Sequence, residues 1–218
     1  MKTYEFAILG FGVFPCIVAL ALRAIDPDLR ILLLTGDSEV GGGGLDLMLP
    51  ERLNAAARAV LEPMIVREWP AYYAQGSGEA VLTHEPVVLV DPVQVSLEVE
   101  AQFPGDAIVT SCGTVSKLGR FATFRGGQAE VSQLIDLTRW MGVPAETKIV
   151  GADGLWALDL PVIAEAESPG EESGAYFAIP LGDERMAIRR WKVSEGDSSL
   201  RPAVATSDIY AIMNGLSS

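Results

Sequence analysis

YEFAILGFGVFPCIVALALRAIDPDLRILLL, residues 4–34, decides the fold. It opens on an apolar run over 4–9, passes a glycine turn at Gly10-Phe11-Gly12, and continues as a second apolar run that is spaced like a helix over 16–25. The residues over 16–25 are apolar nearly all round, as a helix buried against a sheet requires. A continuous apolar strand, RILLL at 30–34, follows. Continuous runs, as opposed to alternating ones, mark parallel strands covered on both faces. Strand, glycine turn, helix and strand within this length form a βαβ unit, which is right-handed by rule.

The run over 6–22 is apolar enough to mimic a signal peptide or a membrane span. It carries one flanking cation, Lys2, is broken by Gly10, Gly12 and Pro15, and is short for a span of about 20 residues. The expectation is a cytoplasmic, reduced protein without a membrane span.

Outward from this unit the chain keeps a strongly acidic balance. In its 218 residues, 16 Lys and Arg stand against 29 Asp and Glu, a net charge of −13. Such a surface repels phosphate backbones and excludes nucleic acid as a natural partner. Two cysteines, Cys16 and Cys112, make no disulfide framework, and one histidine, His84, excludes a histidine-rich metal site. No metal is expected.

Residues 41–44 form a four-glycine loop and 53–61 a short helix. Alternating residues over 87–99 predict two half-exposed strands around a turn at Asp91-Pro92. A short strand is expected over 107–109. Beyond about residue 145 the texture changes. Strands over 147–150, 156–164, 175–180 and 185–193 predict an antiparallel sheet, and 202–213 a closing helix. The fold class is therefore α+β: a Rossmann-like βαβ layer plus an antiparallel sheet. The expected division is a nucleotide-binding-like part over 1–115 and a substrate-binding part over 116–218, within what can be one compact domain.

A glycine turn between strand and helix presents backbone N–H groups that can hold a pyrophosphate. Gly10 and Gly12 are the candidate cofactor-binding residues. The third glycine of GxGxxG is replaced by Pro15, and the acid expected at the end of the second strand is displaced: Thr35 stands there and Asp37 two residues on.

Several stretches in common order resemble the bacterial lycopene β-cyclases, carotenoid cyclases of flavoprotein fold. They are FAILGFG at 6–12, DPDLRILLL at 26–34 with VGG at 40–42, LEPMIVREWPAY at 61–72, AIVTSCG at 107–113 and YFAIPLGDERMAI at 176–188. The resemblance implies an FAD-type domain with an antiparallel substrate sheet, and non-redox ring closure of a polyene, with reduced flavin assisting and a carboxylate giving the proton. The family's Asp-Gly-Arg-Gly turn falls on 110–113, where Thr110 replaces the Asp and Cys112 the Arg. Its acidic pair falls on Arg189-Arg190, so no catalytic carboxylate carries over.

The expectation is a cofactor-independent, non-redox cyclase or isomerase of specialised metabolism, acting on an unsaturated polyene- or polyketide-like small molecule. FAD is the alternative cofactor call, in a lycopene-cyclase-like or oxidoreductase flavoprotein. A non-catalytic ligand-binding or partner subunit is the third reading. Trp140, Trp156, Phe177 and Trp191 are the candidate substrate wall, and aromatic residues serve equally as sheet core. Tyr176 and Arg189 are candidate donors to a substrate carbonyl, and His84 a candidate acid or base. A buried arginine on the 185–193 strand would need a carboxylate partner. The expected partner is a hydrophobic small molecule, with a homodimer as a further possibility.

Overall fold

The computed structural model describes residues 2–53, 55–75, 80–138, 143–151, 159–166, 174–182 and 185–192. The expected helix over 202–213 lies outside them, as do Trp140 and Trp156.

The chain begins β1 (Thr3–Gly10), α1 (Phe14–Ile25) and β2 (Ile31–Thr35). β1 and β2 pair in parallel, Phe6 opposite Ile31 and Gly10 opposite Thr35. This is the βαβ unit predicted. Pro15 sits in the first turn of α1, where a missing N–H costs nothing because no intrahelical acceptor exists there. Nine α1 residues, Phe14 to Leu22, are buried, which explains the all-round apolar pattern. The apolar run over 6–22 is thus strand, turn and core helix. No helix among the described residues is long and apolar enough to cross a membrane.

Next come β3 (Asp46–Met48), α2 (Ala55–Leu61), β4 (Ile65–Trp69), β5 (Tyr72–Gln75), β6 (Val81–Thr83) and β7 (Val87–Val90). The strand pair expected over 87–99 is corrected here. β7 ends at Val90, and α3 (Pro92–Gln102) follows. Asp91 caps this helix, its side chain accepting from the Val93 N–H at 2.9 Å, and Pro92 fills the first turn. The V-x-V-x-L-x-V alternation is incidental, because only Val95 and Val99, one turn apart, are buried, while Val93 and Leu97 are exposed.

The remaining strands are β8 (Ile108–Val109), β9 (Ser116–Leu118), β10 (Phe121–Phe124), β11 (Gly127–Asp136), β12 (Val143–Gly151), β13 (Val162–Ala166), β14 (Gly174–Gly182) and β15 (Arg185–Lys192). They assemble with the earlier ones into a front sheet, β8-β2-β1-β11-β10-β9, a rear sheet, β12-β15-β14-β13-β5-β6, and a small sheet, β3-β7-β4. In the front sheet β8, β2, β1 and β11 run parallel. In the rear sheet the four strands from residue 143 onward are each antiparallel to their neighbour in the order β12-β15-β14-β13, an antiparallel sheet as expected. The sheets do not follow chain order: β5 joins the rear sheet alongside β13, and β9 to β11 return to the front one.

The sheet faces explain the continuous strand. Ile8, Ile31 and Leu33 face α1 and a core shared with α2, α3, β7 and, from the rear sheet, Ile179 and Ala187. Ala7, Leu9, Leu32 and Leu34 face a second core with Cys112, Ala122 and Val131. β2 is buried on both sides and so has no polar alternation.

Candidate functional site: the glycine turn

In open parallel sheets ligands bind beyond the carboxyl ends of the strands. Here those ends are Gly10 of β1 and Thr35 of β2, and the turn from Gly10 into α1 lies directly over them. Gly12 adopts φ +69°, a left-handed conformation that glycine takes without strain. Its N–H donates to Asp37 Oδ2 at 2.6 Å. The displaced acid thus reaches the turn after all: Asp37 N–H donates to Thr35 Oγ1 at 3.2 Å, which holds the loop so that the carboxylate points back at Gly12.

The next amide, Val13, donates to Asp46 Oδ2 at 3.2 Å. Asp46 opens β3 and is 1% exposed. Its other oxygen, Oδ1, lies 2.7 Å from Nη1 of Arg189, which is 2% exposed on β15. The same Nη1 donates to the Leu45 carbonyl at 2.8 Å. Burial pushes the Asp46 carboxyl up to about 6, against the pull of the Arg189 charge and the Val13 N–H, with Asp37 adding repulsion. Cys16, one turn into α1, is fully buried, and desolvation pushes its thiol to about 12, so it stays protonated and inert.

The loop 41–44 closes over this arrangement. A Cβ placed on Gly42 would lie 3.1 Å from the Gly12 Cα and 3.1 Å from Asp37 Oδ2, so the two backbones are in direct contact. A Cβ on Gly44 would strike the Arg189 guanidinium. On the other side of the turn the Phe11 ring covers Gly36, just past β2.

Gly10 and Gly12 therefore sit where the sequence places them, in a strand-to-helix turn of dinucleotide-binding shape. A pyrophosphate does not fit this turn as folded. Its two leading amides are held by carboxylates, and the glycine loop that would leave room for phosphates rests on the turn.

Arg189 is the inward arginine of the pair, and its carboxylate partner comes from this chain. Phe177 on β14 pairs with Arg189 in register and packs, half-buried, against the core. Tyr176 pairs with Ala164 and Arg190, and Trp191 with Pro144 and Ala175, which fixes their places in the rear sheet. His84 is exposed between β6 and β7, away from the turn in sequence and in sheet. Trp140 and Trp156 fall outside the described residues. Among the described residues no group of three or more metal-ligating side chains occurs.

Asp46 escaped sequence reasoning, although a signal was present: a lone acid inside the apolar run LDLMLP at 45–50. Such an acid is costly unless paired, so it implied the partner that Arg189 provides.

The turn at 108–113 completes the rim. The Cys112 N–H donates to the Thr35 carbonyl at 3.0 Å, and the Ser111 N–H to the Asp37 carbonyl at 2.7 Å. Ser111 has φ +49° and Gly113 +65°. A separate pocket, of about 300 Å³ and bordered by Tyr4, Arg23, Arg30 and Asp106, lies at the opposite, amino ends of β1 and β2.

A parallel front sheet, a glycine turn under its lead helix and an antiparallel rear sheet define the fold class: a Rossmann-like layer of the FAD/NAD(P)-binding type joined to an antiparallel sheet. Two solved structures carry this assignment. A myxobacterial chondrochloren halogenase, a variant of FAD-dependent halogenases, superposes with TM-score 0.52 at 12% identity, covering 95% of this chain and 60% of that one. A geranylgeranyl bacteriochlorophyll reductase-like protein of Thermoplasma acidophilum gives 0.50 at 12%, covering 99% and 63%. Within that class the chain resembles the carotenoid cyclases. It is 25% identical over 228 residues to the lycopene β-cyclase of Paracoccus sp. (strain N81106 / MBIC 01143), covering 98% of this chain and 58% of the relative. The chain thus spans about three-fifths of the length of the proteins it matches. No protein-family model matches it.

Proposed function

We propose that the chain is a lycopene-cyclase-like enzyme that closes a ring in an unsaturated, apolar small molecule without net oxidation or reduction. The observation that carries this reading is the similarity to a lycopene β-cyclase along nearly the whole chain, on a fold whose relatives are enzymes by name. A polyene substrate follows from that relative. The polyketide-like part of the expectation has no counterpart among the comparisons.

Ring closure of this kind needs a folded conformer, a proton delivered to one carbon and removed from another, and exclusion of water from the cation between. The rear sheet is the substrate side in this reading, and Phe177, Trp191, Trp140 and Trp156 remain the proposed substrate-binding residues. Holding the chain in a folded, reactive conformer lowers the barrier to joining the two carbons. Tyr176 is the proposed hydrogen-bond donor to substrate, and His84 and Arg189 complete the proposed set. Arg189 needs a partner swap to serve there, because its guanidinium is engaged by Asp46 and Leu45.

On the cofactor, the comparisons lend more to the flavin-dependent alternative than to cofactor independence, since the halogenase is FAD-dependent by name. The turn geometry speaks the other way. One experiment separates them: the absorbance of purified protein between about 350 and 500 nm, followed by incubation with linear polyene precursors. A cyclised product of unchanged mass supports ring closure, and a strict FAD requirement for turnover assigns the flavin alternative. Soluble, folded protein that leaves every precursor linear, with and without FAD, refutes the reading.

A further inference from the structure

We propose that Asp37 and Asp46 stand in for the pyrophosphate of a dinucleotide, so that this chain's nucleotide cradle is closed by its own carboxylates and locked from the rear sheet by Arg189. The inference does not rest on ring closure.

The start of a helix such as α1 carries partial positive charge and unpaired N–H groups, and it attracts an anion. α1 has no acidic residue in its own first turn. The anions come instead from two other segments: Asp37, in the loop after β2, takes the Gly12 N–H, and Asp46, the first residue of β3, takes the Val13 N–H. They occupy adjacent amides, as two phosphate groups would. Asp46 is buried and shares its charge with Arg189, so the plug is balanced by a cation brought from the rear sheet. Gly42 and Gly44 let the loop descend until it touches Gly12 and the Arg189 guanidinium, which removes the space between loop and turn. An entering dinucleotide would have to break these bonds and would bring two negative charges beside two carboxylates.

The test is titration of the 218-residue chain with FAD, followed by quenching of flavin fluorescence, and with ADP and inorganic pyrophosphate by calorimetry. The wild type is expected to give no saturable binding at the turn. The Asp37→Asn/Asp46→Asn double variant keeps the side-chain sizes and removes both negative charges beside the Gly12 and Val13 amides. It is expected to gain affinity for ADP and FAD by tenfold or more. A folded double variant without any gain overturns the proposal.

A second measurement needs no variant. In the wild type the Gly12 and Val13 amide resonances should stay unmoved, and their hydrogen exchange slow, when FAD or pyrophosphate is added. Binding that leaves those amides unmoved is binding elsewhere and supports the closed cradle. Binding that shifts them, or protein that purifies yellow with flavin on these amides, overturns it. Failure to cyclise a polyene counts against the proposed function alone.

Discussion

Replacing Arg189 with methionine should make stability depend on pH where the wild type does not. Burial raises the Asp46 carboxyl from an ordinary value of 3.8 to about 6, and the Arg189 charge keeps it from rising further. A raised value in the folded state means that stability is greatest below the unfolded value and is lost as pH rises through the folded one. In the wild type the contribution of Asp46 is therefore spent between about pH 4 and 6, and the carboxylate is ionised above that. Without the guanidinium, Asp46 has only the Val13 N–H as compensation, beside Asp37 and a protonated Cys16, so its carboxyl is pushed above about 6, and a proton held across the whole of pH 6–8 sets the upper limit of the effect. Between pH 6 and 8 the folded variant then binds one proton more than the unfolded chain. Its stability falls by about 1.4 kcal/mol per pH unit relative to wild type, or about 2.7 kcal/mol across the interval. Loss of the charged hydrogen bond to the Leu45 carbonyl adds about 1.5 kcal/mol at every pH. The expected deficit is about 4 kcal/mol at pH 8 and about 2 kcal/mol at pH 6, within the range for breaking a buried pair. Urea unfolding followed by circular dichroism reads this directly: with a slope near 2 kcal/mol per molar, the midpoint drops by about 2 M at pH 8 and about half that at pH 6. Combining Arg189→Met with Asp46→Asn should abolish the pH dependence and recover part of the loss. An equal deficit at both pH values, or a pH dependence that survives in the double variant, refutes the reasoning.

The descent of the glycine loop can be tested by two neighbouring substitutions. Gly42→Ala forces φ +68° on a residue with a Cβ and presses it against Gly12, and should cost about 2 kcal/mol, whereas Gly43→Ala, with open space around it, should change stability by less than about 0.5 kcal/mol in thermal melts. The helical reading of 92–102 predicts that Val99→Ala costs about 2 kcal/mol and Leu97→Ala under about 0.5 kcal/mol by urea unfolding, while equal costs would restore the strand.

The parts legible in sequence are those where local pattern and tertiary role agree. The run over 4–34 was readable because β1, α1 and β2 all lie in the core and each writes its burial as an uninterrupted apolar stretch. The antiparallel strands beyond residue 143 were readable from their turn spacing. α3 was misread because valines at two-residue spacing satisfy a strand template, and the cap that decides the matter, Asp91-Pro92, is equally a turn signal. The return of β11 to lie beside β1 left no trace, since pairing between residues 3 and 130 is long-range and a half-buried strand looks alike in either sheet. The site divided the same way. Gly10 and Gly12 announce themselves by motif, and Asp37 by its distance from β2. The contact of Asp46 with Arg189 joins positions 143 residues apart, and only the tertiary fold brings them together.

The two proposals bear on one another through electron balance. Ring closure of a polyene adds a proton at one carbon and releases one from another, so product and substrate have the same mass and oxidation state. Such a reaction consumes no reducing equivalents, whereas a reductase or halogenase on the same fold must load and unload a redox group at every turnover. A chain committed to isomerisation can therefore lose the pyrophosphate cradle and keep its chemistry, provided that the proton donor and the water-free chamber remain. The substitution would also stabilise the fold where a bound dinucleotide otherwise would: with the cradle empty and no carboxylate in place, the Gly12 and Val13 amides would lack acceptors beside the main core. Asp37 and Asp46 satisfy them from within, and Arg189 ties the rear sheet to the turn. On this argument retention of activity by the colourless chain and slow exchange at Gly12 and Val13 are expected together, and finding the first without the second would separate loss of the flavin from closure of its site.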